Sequence, residues 1–462
     1  MQITRRILLL AVAASALLTA CATGSSGADE TPPIVFVHGN GDSAAAWTTT
    51  LWRFESNGWP RSRLHAIDMP YPLARDDDTQ PQEGRSSTAE SRQFLADEVA
   101  KVLRATGASR VVLVALSRGG NAVRNYIANG GAATVSHAIL GGTPNHGVFA
   151  NPAGRTGNEF NGAGPFLAGL NAPKGADGAE VTPGIKWMTI RSDNNDLYAQ
   201  PDGTWIGAKG TPTNVTFEGP ALKGAENIVI AGIDHRETAL GPQAFAQMFR
   251  FITGRAPRTL AIAPESAVVL DGKVSGYGAG NRQGTAASNV ALSGAVVEVY
   301  AVDAATGSRR GAPLHRKTIG ADGRWGPFQA DGSARYEFVV TAPKGLEPAY
   351  ATTHIYRSPF PRSSFVVNLR AERLTDADKG AAAVITMTRP RGYFGVPRDQ
   401  ISLDGKSPPA GIPPGVAGVG STRLRLADAS ARPVEGRFND ERIVGSAWPA
   451  ATGELTVLEL TY

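Results

Sequence analysis

The stretch Val111-Val112-Leu113-Val114-Ala115-Leu116-Ser117-Arg118-Gly119-Gly120 decides the fold of this chain. Its apolar, β-branched run is typical of a buried strand, and the apolar spacing that follows Ser117 indicates a helix. A strand, a sharp turn with serine at its tip and a helix together form a nucleophile elbow. The small residues Ala115 and Gly119 would let such a turn close. The alternative interpretation is an ordinary turn between a strand and a helix.

Buried strands and helical segments alternate between residues 34 and 255. Strands are predicted at 34–37, 64–67, 111–116, 138–140, 186–191 and 228–233. Helical spacing covers 44–54, 89–106 and the residues after Ser117. This alternation predicts an α/β fold with a doubly wound, mostly parallel sheet, whose functional residues lie at the carboxyl ends of the strands.

A serine hydroxyl needs a neighbouring base and an acid that orients the base before it can act as a nucleophile. His235 follows the last predicted strand and is the best candidate for the base, with His146 as its main competitor. Asp196, in the loop after the preceding strand, is the favoured acid. Asp193 in the same loop remains an alternative, and Asp234 ranks third.

An anion that forms at the attacked carbonyl requires converging backbone N–H groups. Arg118, directly after the candidate nucleophile, supplies one of them. The glycine-rich turn His38-Gly39-Asn40-Gly41 follows the first strand, so the N–H of Asn40 is the predicted second donor. We expect His38 to anchor this turn by hydrogen bonding.

Four motifs carry a resemblance to a known family. They are Val37-His38-Gly39-Asn40-Gly41-Asp42, Ala115-Leu116-Ser117-Arg118-Gly119, Gly142-Thr143-Pro144-Asn145-His146-Gly147 and Gly232-Ile233-Asp234-His235. With them, residues 34–255 resemble an α/β-hydrolase of the bacterial lipase and esterase type. Arg118 departs from the more usual Met or Gln and brings a charge near the site. The first motif also resembles extracellular polyhydroxyalkanoate depolymerases.

The segment between the strands ending near 141 and starting near 186 is longer than a crossover requires. It carries Phe160, Phe166, Leu167 and Leu170 among Gly, Asn and Pro. It is predicted either to form a lid that lines an apolar acyl pocket or to be a partly ordered crossover.

After residue 254 the helical periodicity is largely replaced by short alternating runs. They lie at 296–300, 336–340, 364–368, 424–426 and 455–458. These runs predict one or two all-β, sandwich-like domains, divided here into 260–372 and 373–462. The first of them resembles the transthyretin-like modules of secreted enzymes, through Gly294–Tyr300, Asp322–Trp325 and Tyr336–Phe338.

The N-terminus predicts export. Arg5-Arg6, an apolar run and Leu18-Thr19-Ala20-Cys21 describe a signal peptide over 1–20, and the last four residues resemble a bacterial lipobox. Lipid on Cys21 would anchor the protein to the cell envelope, by resemblance at the outer membrane, with 21–33 as a tether. A plain signal peptide and a secreted protein are the alternative, and the choice between the general and twin-arginine export routes stays open.

These observations predict a serine carboxylester hydrolase, a lipase or esterase, with Ser117, Asp196 and His235 as its catalytic residues. The expected partners are a lipid or ester substrate and a membrane surface reached through Cys21. The chain shows neither a metal or cofactor motif nor a basic stripe for nucleic acid, and no protein partner can be inferred. The alternatives are a polyester depolymerase whose β tail holds the polymer, and a non-catalytic binding module.

Overall fold

The computed structural model describes residues 31–201, 210–279, 287–428 and 431–462. The predicted signal peptide and Cys21 lie outside the described residues. Among the helices that are described, none is long and apolar enough to cross a membrane.

The first half of the chain is built on a parallel sheet. The strands described there are β1 (Ile34–Val37), β2 (Leu64–Ala66), β3 (Leu73–Ala74), β4 (Arg85–Ser86), β5 (Val111–Leu116), β6 (Val135–Gly141), β7 (Lys186–Ser192) and β8 (Glu226–Ile230). Six of them pair in parallel in the order β2-β1-β5-β6-β7-β8, and β3 and β4 form a small separate pair. The predicted α/β-hydrolase sheet is confirmed.

Helices cover both faces of this sheet. They are α1 (Thr48–Ser56), α2 (Thr88–Thr106), α3 (Arg118–Ala128), α4 (Pro165–Asn171), α5 (Glu237–Leu240) and α6 (Pro242–Thr253). All six residues of β5 are buried, and they alternate between two apolar clusters, one on each face. A strand buried on both faces reads as a continuous apolar run, which explains its strong sequence signal. A capping box between Ser87 and Glu90 starts α2, and left-handed Gly107 ends it.

The rest of the chain is β structure. Its described strands are β9 (Val268–Leu270), β10 (Val274–Gly276), β11 (Val296–Val302), β12 (His315–Thr318), β13 (Phe328–Ala330), β14 (Arg335–Thr341), β15 (Thr352–Arg357), β16 (Leu369–Ala371), β17 (Ala383–Thr388), β18 (Ile401–Leu403), β19 (Ser421–Leu426), β20 (Pro433–Phe438), β21 (Glu441–Ser446) and β22 (Glu454–Glu459). The largest sheet has the order β12-β11-β14-β15-β22-β17-β19.

This sheet corrects the predicted boundary at 372. β15 pairs in parallel with β22, and β22 pairs in parallel with β17, so strands from both predicted domains share one sheet. Val384, Leu455 and Val457 also belong to the same apolar cluster as the core of 260–372. The prediction of a separate second β domain over 373–462 is therefore wrong. We call residues 260–462 the β tail.

The predicted run 364–368 is a strand only at the single bridge of Ser364. The rest of the run forms no strand. The carbonyl of Val367 accepts a hydrogen bond from the Trp325 indole at 2.8 Å. The side chain of Phe365 is exposed. The strand that forms, β16, begins only at Leu369.

The β tail packs directly against the α/β part. The indole of Trp52 on α1 donates to the carbonyl of Ser363 at 2.9 Å and joins the apolar core of the tail. The side-chain amide of Asn289 donates to the carbonyls of Asp42 and Met69, both at 2.9 Å. Because these contacts are buried or partly buried, the tail is an integral part of the molecule rather than a module on a linker.

We expect His137 on β6 to make stability depend on pH. Burial first, and then the charge of Lys186, lower the pKa of His137 to about 4. Between this value and about 6.5, the pKa of an unfolded histidine, the unfolded chain binds a proton that the folded chain does not. The free energy of unfolding should therefore fall as the pH is lowered through this window. Urea titrations at pH 7 and pH 5 should show a smaller fall for His137→Asn than for the wild type, and equal falls would contradict this assignment.

Candidate active site

Ser117 lies at the tip of a strained turn between β5 and α3. Its φ of 53° and ψ of −123° are unusual for a residue with a side chain. The turn closes against the end of β1, where a Cβ atom on Gly119 would come within 2.6 Å of the Val37 carbonyl oxygen and 2.7 Å of that of His38. Only glycine fits this approach, as the elbow interpretation requires.

The structure brings His235 and Asp196 together. Nδ1 of His235 lies 2.9 Å from Oδ2 of Asp196, and both side chains are buried. The other oxygen of Asp196 accepts from the N–H of Tyr198 at 2.8 Å, which fixes the carboxylate. Ser192 at the end of β7 donates to the carbonyl of Ile233 at 2.6 Å and ties the acid loop to the base loop.

The competing residues lie elsewhere. Asp193 accepts from the N–H of Gly232 at 3.0 Å; although burial opposes the shift, this bond and others lower the pKa of Asp193. Asp234 is fully buried and turns toward the β tail, where Arg389 donates to it at 2.9 Å. His146 pairs with Glu180 at 3.2 Å. None of these residues occupies the position of Asp196 or His235.

The turn after β1 places Asn40 beside Ser117, and both line one cavity. Buried His38 holds this turn, because Nδ1 lies 2.9 Å from the carbonyl of Gly39 and Nε2 accepts from the N–H of Met69 at 3.1 Å. Burial lowers the pKa of His38, so the ring stays neutral and makes both bonds. The side chain of Asn40 accepts from the N–H of Ala74 at 2.8 Å, which fixes the predicted N–H donor.

The side chain of Arg118 forms a buried ion pair with Glu159. Nε and Nη2 donate to the two oxygens of Glu159 at 2.8 and 2.9 Å, and further bonds reach Pro72 and Ser86. The charge expected near the site is thus compensated by a carboxylate. The backbone N–H of Arg118 lies in the first turn of α3, at the positive end of the helix dipole.

Two cavities meet at the base. One, of about 70 Å³, is lined by Asn40, Asp42, Leu116, Ser117, Val148, Phe160, Tyr198, His235, Arg236 and Tyr393. The other, of about 410 Å³, contacts Asp196, Tyr198 and His235 but has no wall from Ser117. The small cavity is therefore the one that a group bound at Ser117 would enter.

Phe160 and Val148 come from the segment after β6 that was predicted to be a lid or a crossover. The segment is strongly hydrogen-bonded: the side chain of Asn161 accepts from the N–H of Asn151 and of Ala163, and it donates to the carbonyl of Asn151. Together with the buried bond from Glu159 to Arg118, these contacts make it an ordered wall of the site in this structure.

Arg236 and Tyr393 line the small cavity although neither was predicted. Arg236 pairs with Asp42 at 2.6 Å, and its guanidinium lies 4.8 Å from the centroid of the Tyr393 ring. Burial acts against the charge of Arg236, but the carboxylate of Asp42 above all raises its pKa. The adjacency of Arg236 to His235 was a usable signal. No local signal marks Tyr393, because it reaches the site from the β tail.

Among the described residues, no group of three His, Cys, Asp or Glu side chains could hold a metal ion.

Two family models match the chain. Residues 31–155 match the class 2 lipase family, and residues 266–374 match the lipase C-terminal domain. Comparison with curated proteins gives no match.

Several solved structures are similar over about half of the chain. The lipase BlEst2 of Bacillus licheniformis in its mature form is 21% identical, with 48% of this chain and 92% of that chain covered and a TM-score of 0.33. An esterase of a Rhodococcus species, RhEst1, is 18% identical, with 49% of this chain and 91% of that chain covered and a TM-score of 0.30. A monoacylglycerol lipase of Paleococcus ferrophilus is 12% identical, with 48% of this chain and 96% of that chain covered and a TM-score of 0.33.

Replacing Gly119 by alanine should damage the elbow. The new methyl group meets backbone oxygens that cannot move aside, so we expect a loss of about 1–3 kcal/mol in the free energy of unfolding. Displacement of Ser117 should also slow its labelling by a serine-directed phosphonate. Gly169→Ala on α4 is the matched control, because no atom lies within 4 Å of its new Cβ. If Gly119→Ala is as stable and as reactive as Gly169→Ala, the close approach is not a constraint.

Proposed function

Because residues 31–155 match the class 2 lipase family and residues 266–374 match the lipase C-terminal domain, we propose that the chain is a serine carboxylester hydrolase. The observation that carries this proposal is the 2.9 Å contact between His235 Nδ1 and Asp196 Oδ2, beside a cavity that His235 shares with Ser117. A base held in this way presents its other nitrogen, Nε2, for proton transfer.

In the proposed reaction, the Oγ of Ser117 attacks the ester carbonyl carbon, and Nε2 of His235 takes the hydroxyl proton. Asp196 holds the ring and stabilises the imidazolium that forms. The backbone N–H groups of Asn40 and Arg118 bind the oxyanion. The tetrahedral intermediate then collapses, the C–O bond to the alcohol breaks, and His235 returns the proton to the leaving oxygen.

The acyl-enzyme is hydrolysed by the same groups. His235 takes a proton from water, and the hydroxide oxygen attacks the acyl carbon. The second intermediate then collapses, the bond between the acyl carbon and Ser117 Oγ breaks, and His235 returns its proton to Oγ, which releases the carboxylic acid and restores the Ser117 hydroxyl. Each step needs only the described side chains and water.

The size of the small cavity supports a short acyl group. Its volume of about 70 Å³ is far below the ~300–1,000 Å³ of sites that enclose a drug-sized ligand. Aromatic and aliphatic side chains of Phe160, Tyr198 and Val148 line it. We therefore propose a carboxylesterase preference over that of a long-chain lipase.

Substitution of the three residues tests the chemistry. Ser117→Ala should abolish turnover of nitrophenyl esters while the thermal unfolding transition persists. Asp196→Asn should lower kcat by ~10⁴-fold, the typical loss when the acid of a Ser-His-Asp triad becomes an amide. Asp193→Asn is the matched control from the same loop and should lose much less. Wild-type turnover by Ser117→Ala would rule out Ser117 as the nucleophile. Absence of both turnover and phosphonate labelling in the wild type would favour a non-catalytic binding module.

Chain-length dependence tests the acyl preference. On nitrophenyl esters from acetate to palmitate, with Ser117→Ala as the blank, kcat/KM should be highest at acetate to butyrate and should decline for longer chains. A maximum at octanoate or beyond would mean that Phe160 and its neighbours move aside in solution, and the preference for short acyl groups would then be wrong.

A further inference from the structure

Tyr393 brings the β tail into the candidate active site. The residue lies between β17 and β18 and is 8% exposed. It lines the same 70 Å³ cavity as Ser117 and His235. Its hydroxyl lies 3.4 Å from that of Tyr198, which itself packs edge-on against the ring of His235.

The backbone of Tyr393 is fixed on both sides of the ring. Its N–H donates to Oδ2 of Asp234 at 2.8 Å, and its carbonyl accepts from Arg389 at 2.8 Å and from Arg398 at 3.0 Å. The next residue, Phe394, is buried in the core of the tail and its N–H donates to Val419. Because these bonds fix its backbone, the side chain of Tyr393 forms a rigid part of the cavity wall.

The same segment of the β tail binds the loop that carries His235, the proposed base. Arg389 donates to Asp234 at 2.9 Å and to Glu237 at 2.6 Å, so it binds the residues before and after His235. Arg398 adds bonds to the same two carboxylates at 3.3 and 2.9 Å. Since Asp234 is fully buried, these guanidinium groups provide the charge that it requires.

The tail also touches the loop that carries the acid. The N–H of Ala417 donates to the side chain of Asn195 at 3.3 Å. Gly418 lies so close that a Cβ atom there would come within 2.6 Å of the Leu197 side chain. The tail thus contacts the residues on both sides of Asp196 as well as those on both sides of His235.

We propose that the β tail completes the active site: Tyr393 is a specificity determinant that limits the length of the acyl group, and Arg389 is a positioning residue for the loop of His235. This inference rests on the proposed function. Tyr393 is part of the wall that a longer acyl chain would have to pass, so its removal should open the cavity. Arg389 touches no reacting atom: it acts on the loop of His235 through Asp234 and Glu237, and it also fixes the carbonyl of Tyr393.

Tyr393→Ala tests the wall in the full-length protein. The ratio of kcat/KM for nitrophenyl octanoate to that for nitrophenyl acetate should rise at least about 10-fold, the discrimination that one methylene of pocket space can provide. Tyr393→Phe keeps the ring and should stay close to the wild-type ratio. Rates are expressed per active site, titrated with a nitrophenyl phosphonate, and Ser117→Ala is the blank.

Phe394→Ala is the matched control. It deletes a neighbouring aromatic side chain that is more deeply buried, at 1% exposure, but that does not line the cavity. It should lower the thermal stability and leave the octanoate-to-acetate ratio unchanged. An unchanged ratio in Tyr393→Ala, or an equal rise in Phe394→Ala, would overturn the role of Tyr393. If the wild type hydrolyses neither ester, the proposed function fails instead.

Arg389→Gln tests the positioning role separately. A shift of the base loop should lower kcat per titrated site, by up to about 100-fold for a displacement near 1 Å, with KM nearly unchanged. Arg389→Lys keeps the charge and should recover part of the loss. If Arg389→Gln lowers only the number of titratable sites and not the rate per site, Arg389 stabilises the fold without positioning His235.

Discussion

The contact between Gly119 and the end of β1 is the constraint on which the site depends. β1 and β5 are neighbours in the sheet, so the turns that follow them must share a small space. The missing side chain at Gly119 lets these turns meet, and Ser117 then adopts a φ of 53°. Such a conformation costs on the order of 1–3 kcal/mol and persists only where its surroundings fix it. Here the N–H of Ser117 donates to Gly141 on β6 at 2.8 Å, so the next strand of the sheet fixes the turn from the other side.

The β tail adds contacts from outside the parallel sheet that hold the loops of the candidate active site. The loops that follow β7 and β8 carry Asp196 and His235. Arg389 and Arg398 supply partners from outside by binding Asp234 and Glu237. Removing one member of a buried ion pair strands its partner, at a cost of about 3–5 kcal/mol. The relation between the two parts of the chain is therefore specified at the active site and not only along the apolar contact at Trp52.

The sequence revealed the parts of this design that are local. Each sheet strand is a short apolar run, and the serine, acid and base follow three of them, so their convergence at one sheet edge was predictable. The tail was harder to predict because its strands bury polar residues: His354 on β15 pairs with Glu337 on β14 at 2.7 Å, which hides the apolar alternation. The parallel pairing of β15 with β22 joins distant segments and produced the wrong boundary at 372. Tyr393 could not be predicted either, because it is distant from Ser117 in the sequence and no motif near it indicates a place in the site.

The charges around the site favour a backbone oxyanion hole in the proposed mechanism. Arg118, Arg236 and Arg389 lie close to the candidate catalytic residues, and each is paired with a carboxylate: Arg118 with Glu159, Arg236 with Asp42 and Arg389 with Asp234. A guanidinium that is already paired with a carboxylate contributes little net field to a second anion. The negative charge that develops on the ester oxygen would then be stabilised mainly by N–H dipoles at the start of α3 and in the turn after β1. Such dipoles are fixed before the reaction and need no reorganisation when the charge appears. In the proposed mechanism an arginine can therefore follow the nucleophile: its side chain binds Glu159 in the wall of the site, and its backbone N–H can still bind the oxyanion.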